Sequence, residues 1–183
     1  MGPGLGRHPG TDRLIRKILL KAWVPTVVDA DALNALQGRA DLLKRCEAEM
    51  ILTPHPGEFV RVFGGTKPAT DSNRRRRAKE AARKGGKVVV LKGYRTVIAN
   101  PNGRVAVNPT GNPGMATGGT GDILTGIIAA LLGQGMKPFD AARFGVYLHG
   151  LAGDLAVREK GEVSLVAGDL IEFLPKTIRT ILK

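Results

Sequence analysis

The stretch KVVVLKG (87–93) sets four apolar residues side by side between two lysines, with no polar position alternating among them. A strand with one face in water alternates polar and apolar residues, so a run of this kind belongs in a sheet covered on both faces. The rest of the chain supplies the cover. PTVVDADALNAL (25–36) reads as a short buried strand, 26–29, running into a helix. AEMILTPHPGEFVRVFG (48–64) repeats the scheme, with a strand at 50–53, a proline-locked turn and a helical start. TDRLIRKILLKA (11–22) places Leu14, Ile15, Ile18 and Leu19 at helical spacing. NRRRRAKEAARK (73–84) predicts a helix capped by Thr70, Asp71 or Ser72 and ended by Gly85-Gly86.

Strands at 96–100 and 104–108 flank Asn102-Gly103, a tight-turn signal for an antiparallel hairpin. DILTGIIAALLG (122–133) is apolar nearly all round and therefore predicts a buried helix. Pro138 opens a further helix to about residue 158, and a last one covers 167–182, where Pro175 predicts a kink or break. Strands alternating with helices, then a hairpin, then helices, specify a single layered α/β domain over 1–183 with a mostly parallel sheet. In such sheets ligands sit beyond the carboxyl ends of the strands. Asp29, Asp31, His55 and Lys92 fall there, together with a glycine cluster.

That cluster, GNPGMATGGTGDILTG (111–126), ends at one acid, Asp122. A glycine-rich turn opening a helix presents free amides and the positive end of the helix dipole, an arrangement suited to a phosphoryl group. Asp122 would then stand beside the anion, placed to accept a hydroxyl proton, although aspartate also favours helix starts without any catalytic role. The pattern is not a Walker loop, because no Gly-Lys-Ser/Thr follows.

A formal charge of +12 brings polyanions and phosphorylated small molecules to mind. The basic run has no aromatic interleaving, so a solvated helix face is the plainer reading and no nucleic-acid partner is expected. The single cysteine, Cys46, excludes an intramolecular disulfide and a cysteine-based zinc site and fits a reducing compartment. No leader-like or membrane-spanning apolar run is present, so a cytoplasmic protein without a membrane partner is expected.

GNPGMATGGTGDILTG closely resembles the catalytic loop of ribokinase-like proteins, and its GNPGMATGG lead resembles the NAD(P)H-hydrate dehydratases. MGPGLGR (1–7), VVDADALNAL (27–36), TPHPGEF (53–59) and LKGYRTVIA (91–99) match the same family in the same order. The resemblance implies a three-layer α/β/α fold and a repair reaction. ADP or ATP, with Mg2+, phosphorylates the 6-hydroxyl of hydrated NADH or NADPH, and loss of phosphate restores the ring double bond.

Carried over by residue, Asp122 is the implied base and a hydrate contact. Gly4 or Gly6, His55 and Asn112 are implied to bind the hydrate. Lys92, Gly93, Tyr94, Arg95 and Thr96, with Gly119, Thr120 and Gly121, are implied to bind the nucleotide and its phosphates. Glu58 is read first as a favourable helix-start acid with a second role near magnesium, Asp29 and Asp31 as second-rank candidates, and His149 as structural. No metal ligand set is legible. In the family GPGLG follows earlier strands and helices, so the domain is expected to be N-terminally incomplete, and a homo-oligomer is expected. A vitamin-precursor or sugar kinase of the same fold is the alternative function, and a nucleic-acid-binding protein a more distant one.

Overall fold

In the computed structural model, which describes residues 1–182, strands and helices follow the predicted order. β1 (Thr26–Val28), β2 (Met50–Leu52), β3 (Val88–Leu91), β4 (Val97–Ala99) and β5 (Val105–Val107) form one sheet in that spatial order. β1, β2 and β3 pair in parallel, whereas β4 pairs antiparallel with both of its neighbours, so it alone runs against the other four. The backbone of Met1 bonds to the outer edge of β1: its amino group donates to the Val27 carbonyl at 2.7 Å and its carbonyl accepts from the Asp29 amide at 3.0 Å.

Helices cover both faces, as the apolar strand demands. α1 (Pro9–Lys21), α2 (Ala30–Asn34), α3 (Leu42–Arg45), α4 (Pro56–Phe63) and α5 (Asp71–Gly85) enclose one core with Val28, Leu52, Val89 and Leu91. α6 (Thr120–Gly133) and α7 (Pro138–Lys160) enclose another with Val27, Ile51, Val88 and Val90. α8 (Ala167–Ile181) packs on the outer side of α7 through Leu170 and Phe173. Successive residues of β3 thus enter different cores, which is why it carries no polar alternation.

Four details differ from the sequence reading. The hairpin turn is Asn100-Pro101-Asn102-Gly103, closed by the Gly103 amide on the Asn100 carbonyl at 3.0 Å, with Gly103 at φ 88°. Pro101 suits the second position of a type I turn, and the left-handed glycine then matches the strand twist. α8 runs unbroken through Pro175; Ile171, whose carbonyl loses its partner there, is exposed, so water can satisfy it. α6 is not buried all round: Asp122, Gly126, Ala129 and Gly133 form an exposed stripe. Small residues count as apolar in a pattern yet gain little from burial. Finally, α5 is capped by Thr70 and ended by left-handed Gly86 as expected, but its Arg74 is buried rather than solvated.

Candidate active site

Asp29, His55 and Lys92 follow the carboxyl ends of β1, β2 and β3, where a ligand site is expected in such a sheet. Lys92 is the junction. Its Nζ lies 2.8 Å from Asp29 Oδ1 and 4.0 Å from Glu58 Oε2. Asp29 is 1% exposed, and its Oδ2 accepts a 2.9 Å hydrogen bond from Thr125 Oγ1 of α6. Both oxygens of this buried carboxylate are therefore partnered, as burial of a charge requires. A Cβ on Gly121 would come within 3.3 Å of Lys92 Nζ and 3.9 Å of Asp29 Oδ2, so glycine there lets the start of α6 close over the ion pair. Ala30, next to Asp29, is held at φ 47°, a costly conformation for a residue with a Cβ and one found most often at functional sites.

His55 caps α4. Its Nδ1 accepts from the Gly57 amide at 3.0 Å, while Glu58 Oε2 accepts from the His55 amide at 2.8 Å, a reciprocal capping box. Burial holds the His55 imidazole below the ordinary histidine value; Glu58 opposes this and Lys92 reinforces it. Because Nδ1 is an acceptor in the cap, the exposed ring offers its Nε2 to a ligand, and Nε2 stands 3.4 Å from Glu58 Oε1. Asp31 Oδ2 accepts from the Gly6 amide at 2.9 Å, fixing the exposed Gly4–Gly6 end of GPGLG against the start of α2.

A cavity of about 710 Å³ opens on the other side of Lys92. The Lys92–Thr96 turn, the 107–116 loop, the opening of α6 and the middle of α7 line it. α6 has no side-chain cap, and its first amides, those of Thr120 and Gly121, have no intrahelical acceptor. The Thr120 hydroxyl is committed to the Met115 and Thr117 carbonyls at 2.9 and 3.0 Å, and the Thr96 hydroxyl to the Gly93 carbonyl at 2.9 Å. What Thr120 can offer an anion is its amide. α7 approaches the 107–116 loop so closely that a Cβ on Gly150 would stand 2.2 Å from Thr110 Oγ1. One turn further on, Asp154 accepts from the Gly111 amide and from Asn112 Nδ2, both at 2.9 Å.

The predicted residues therefore separate into two groups that meet at Lys92. Lys92, Gly93, Tyr94, Arg95, Thr96, Thr120 and Gly121 line the cavity together. Asn112 lines it too, although it was expected with the hydrate-binding residues. Gly4, Gly6 and His55 lie outside it, around the Asp29–Glu58 side, and Gly119 precedes α6 at φ 89°. Asp122 is exposed, the third residue of α6 and one turn before Thr125, and its carboxylate has no partner among the described residues.

Sequence reasoning assigned nothing to Thr125 or Asp154 and read His149 as structural, without placing it at the cavity. His149 Nε2 stands 2.8 Å from the Thr120 carbonyl, and the ring lines the cavity. A carbonyl only accepts, so Nε2 carries the hydrogen. Burial pushes this imidazole from 6.5 to about 4; the Thr120 bond opposes the shift and Lys92 adds to it. The native state therefore binds the proton less readily than the unfolded chain. The stability this supports is intact above about pH 6.5 and is lost as the pH falls toward 4, by on the order of 3 kcal/mol. Urea titrations at neutral pH and near pH 4.5 are expected to show this loss, and His149→Gln is expected to remove that part of the slope. Equal slopes in both proteins would contradict the assignment.

The family described as NAD(P)H-hydrate dehydratase matches residues 1–176. The bifunctional NAD(P)H-hydrate repair enzyme Nnr of Moorella thermoacetica is 52% identical over 181 residues, 99% of this chain but 34% of that protein. The ADP/ATP-dependent NAD(P)H-hydrate dehydratase from Bacillus subtilis, co-crystallized with ATP/Mg2+, superposes with a TM-score of 0.85 at 38% identity, over 98% of this chain and 63% of that one. A ribokinase-like superfamily protein from Enterococcus faecalis gives a TM-score of 0.79 at 30% identity, over 98% of this chain and 62% of its own. The chain thus spans about a third of the curated relatives it matches and under two thirds of these solved structures. With its three layers, its mixed sheet and the glycine-led opening of α6, the chain belongs to the NAD(P)H-hydrate dehydratase family and has the ribokinase-like fold.

Proposed function

We propose that this chain, as one domain over 1–183, dehydrates the 6-hydroxy hydrates of NADH and NADPH at the expense of ADP or ATP. One observation carries the reading: the unpartnered amides at the head of α6 face a cavity sized for a nucleotide, with Lys92 behind them and the Asp122 carboxylate beside them. The nucleotide occupies the cavity against the Lys92–Thr96 turn. The hydrate lies on the His55 side, held by Gly4 or Gly6, His55 and the Asp122 carboxylate; Asn112, bound to Asp154, stays on the cavity wall.

Asp122 takes the proton of the ring hydroxyl as its oxygen attacks the terminal phosphorus. The Gly119–Gly121 segment holds the charge that develops on the phosphoryl oxygens. AMP or ADP departs. The ring nitrogen lone pair then expels phosphate, the neighbouring C–H proton is lost, and the double bond returns. Hydroxide is a poor leaving group and phosphate a good one, which is the chemical reason for consuming a nucleotide.

Among the described residues no trio of His, Cys, Asp or Glu side chains is placed to hold a metal alone. Mg2+ commonly needs only one or two carboxylates besides phosphate oxygens. Glu58, 4.0 Å from Lys92 Nζ, is the carboxylate that would join phosphate oxygens around such an ion, whereas Asp29 is already held by Lys92 and Thr125.

Mixing the chain with Mg2+, ADP or ATP and hydrated NADH is expected to restore the dihydronicotinamide absorbance with release of phosphate. A phosphorylated organic product without that recovery would decide for a kinase of the same fold, and bound nucleotide with neither recovery nor such a product would refute the reading. Cytoplasmic location and a homo-oligomeric state belong to the same proposal. Supporting them are the free, buried Cys46, the absence among the described residues of a helix long and apolar enough to cross a membrane, and the exposed Leu14, Ile18 and Trp23 around α1. No nucleic-acid partner is proposed, because Arg74 and Arg77 of the basic helix are engaged with the chain's own carbonyls.

A further inference from the structure

Arg74 is 7% exposed and has no carboxylate partner among the described residues. Its guanidinium instead collects carbonyls from one turn. Nη2 donates to the Leu91 and Lys92 carbonyls at 3.2 and 3.3 Å, and Nη1 donates to the carbonyl of Tyr94. Nε finds no acceptor, so burial of this cation is only partly compensated. Burial also lowers its affinity for the proton, with Asp71 opposing. A plain solvated face, the expectation for this basic helix, would place the arginine in water at no such cost.

The turn that Arg74 grips has an unusual backbone. Gly93 sits at φ 132° and Arg95 at φ 53°. No peptide bond among the described residues is cis, so each amide N–H points opposite its carbonyl. With the Lys92 and Tyr94 carbonyls drawn toward Arg74, the amides of Gly93 and Arg95 are turned away from it. Neither amide has an acceptor among the described residues, and both residues line the cavity. A Cβ on Gly93 would stand 3.1 Å from Arg74 Nη2, so the glycine also lets the guanidinium close on the turn.

We infer that Arg74 is a positioning residue for nucleotide binding: by holding the carbonyls of Leu91, Lys92 and Tyr94 on the far side of the turn, it presents the Gly93 and Arg95 amides to the ligand in the cavity. It touches no substrate. The inference rests on the nucleotide reading of the cavity, and the arginine fork suits it because its rigid, planar donors hold several carbonyls in fixed directions, which a single ammonium on a flexible stem does not.

Calorimetric titration of the full 183-residue chain with Mg2+-ADP tests it, with Arg74→Met and Arg74→Lys alongside and thermal unfolding recorded for each. Arg74→Met is expected to raise the ADP Kd at least tenfold, and Arg74→Lys several-fold. In turnover assays the loss is expected in the KM for nucleotide, with the KM for the hydrate and kcat little changed. A general structural defect would move all three together. If Arg74→Met does not fold, Arg74→Lys decides: a Kd within twofold of the unsubstituted chain overturns the inference. Failure of the unsubstituted chain to bind ADP or ATP at all would instead overturn the nucleotide reading, and the inference with it.

Discussion

Asp122→Asn is expected to lower the rate of hydrate repair by a factor on the order of 10²–10⁴, the usual contribution of a positioned general base. The mutant should still bind ADP or ATP with little change, because the side chain lies outside the cavity that the Lys92–Thr96 turn lines. Structure makes this test unusually direct. The carboxylate is exposed and has no partner among the described residues, so asparagine removes basicity without opening a hole or stranding a neighbour. Its contribution to stability is favourable charge in the first turn of α6, worth up to about 1 kcal/mol. Steady-state rates, nucleotide titration and thermal unfolding of the one variant separate chemistry from binding and folding. Turnover within tenfold of the parent protein would remove Asp122 from the role of base.

Lys92→Met is expected to cost roughly 3 kcal/mol of stability, toward the lower end for breaking a buried ion pair, because Thr125 still partners Asp29. The loss arises less from the missing attraction than from Asp29, which is left 1% exposed with one oxygen unmatched. For a chain of this size the unfolding midpoint should fall by about 6–12 °C. Adding Asp29→Asn should recover a large part of the loss, since the neutral amide no longer needs the ammonium. The coupling in this double-mutant cycle measures the pair itself. A cost below about 1 kcal/mol, or strict additivity, would show that the Lys92–Asp29 contact contributes little. Nucleotide affinity is expected to fall in Lys92→Met as well.

The layered fold was legible because its signal is local and repeated. Val88 to Leu91 needs two cores, and the helices around it carry spaced apolar residues and ordinary caps such as Thr70 and Gly86. The hairpin was legible in existence but not in centre, because Asn102-Gly103 is a strong pair signal while Pro101 decides the turn type. Pro175 misled for the opposite reason: a proline forbids one hydrogen bond, yet on an exposed helix face water makes good the loss.

For the site, the motifs located every strand end and the glycine-led helix, but not the side chains that fix them. Asp154 and Thr125 act across 42 and 96 residues of sequence, distances over which no spacing rule operates. One clue was present. His149, Gly150, Gly153 and Asp154 fall on a single side of the apolar middle of α7, where two glycines and two polar groups mark a close approach rather than a packing face. Arg74 offered none, since a buried arginine among solvated ones leaves no trace in composition.

The two faces of the sheet are drawn from different portions of the chain. α1 through α5 precede β4 and occupy one side, whereas α6 and α7 follow β5 and occupy the other. Asp29 and Lys92 come from the first portion, Gly121 and Thr125 from the second, so the acid–lysine–helix junction exists only once both have docked. Loop closures of 63 and 96 residues stand between its parts. Partly assembled chains, however helical, would be blind to nucleotide, which makes ligand capture a gauge of completed folding and puts the weakest point of assembly at the seam where catalysis would occur.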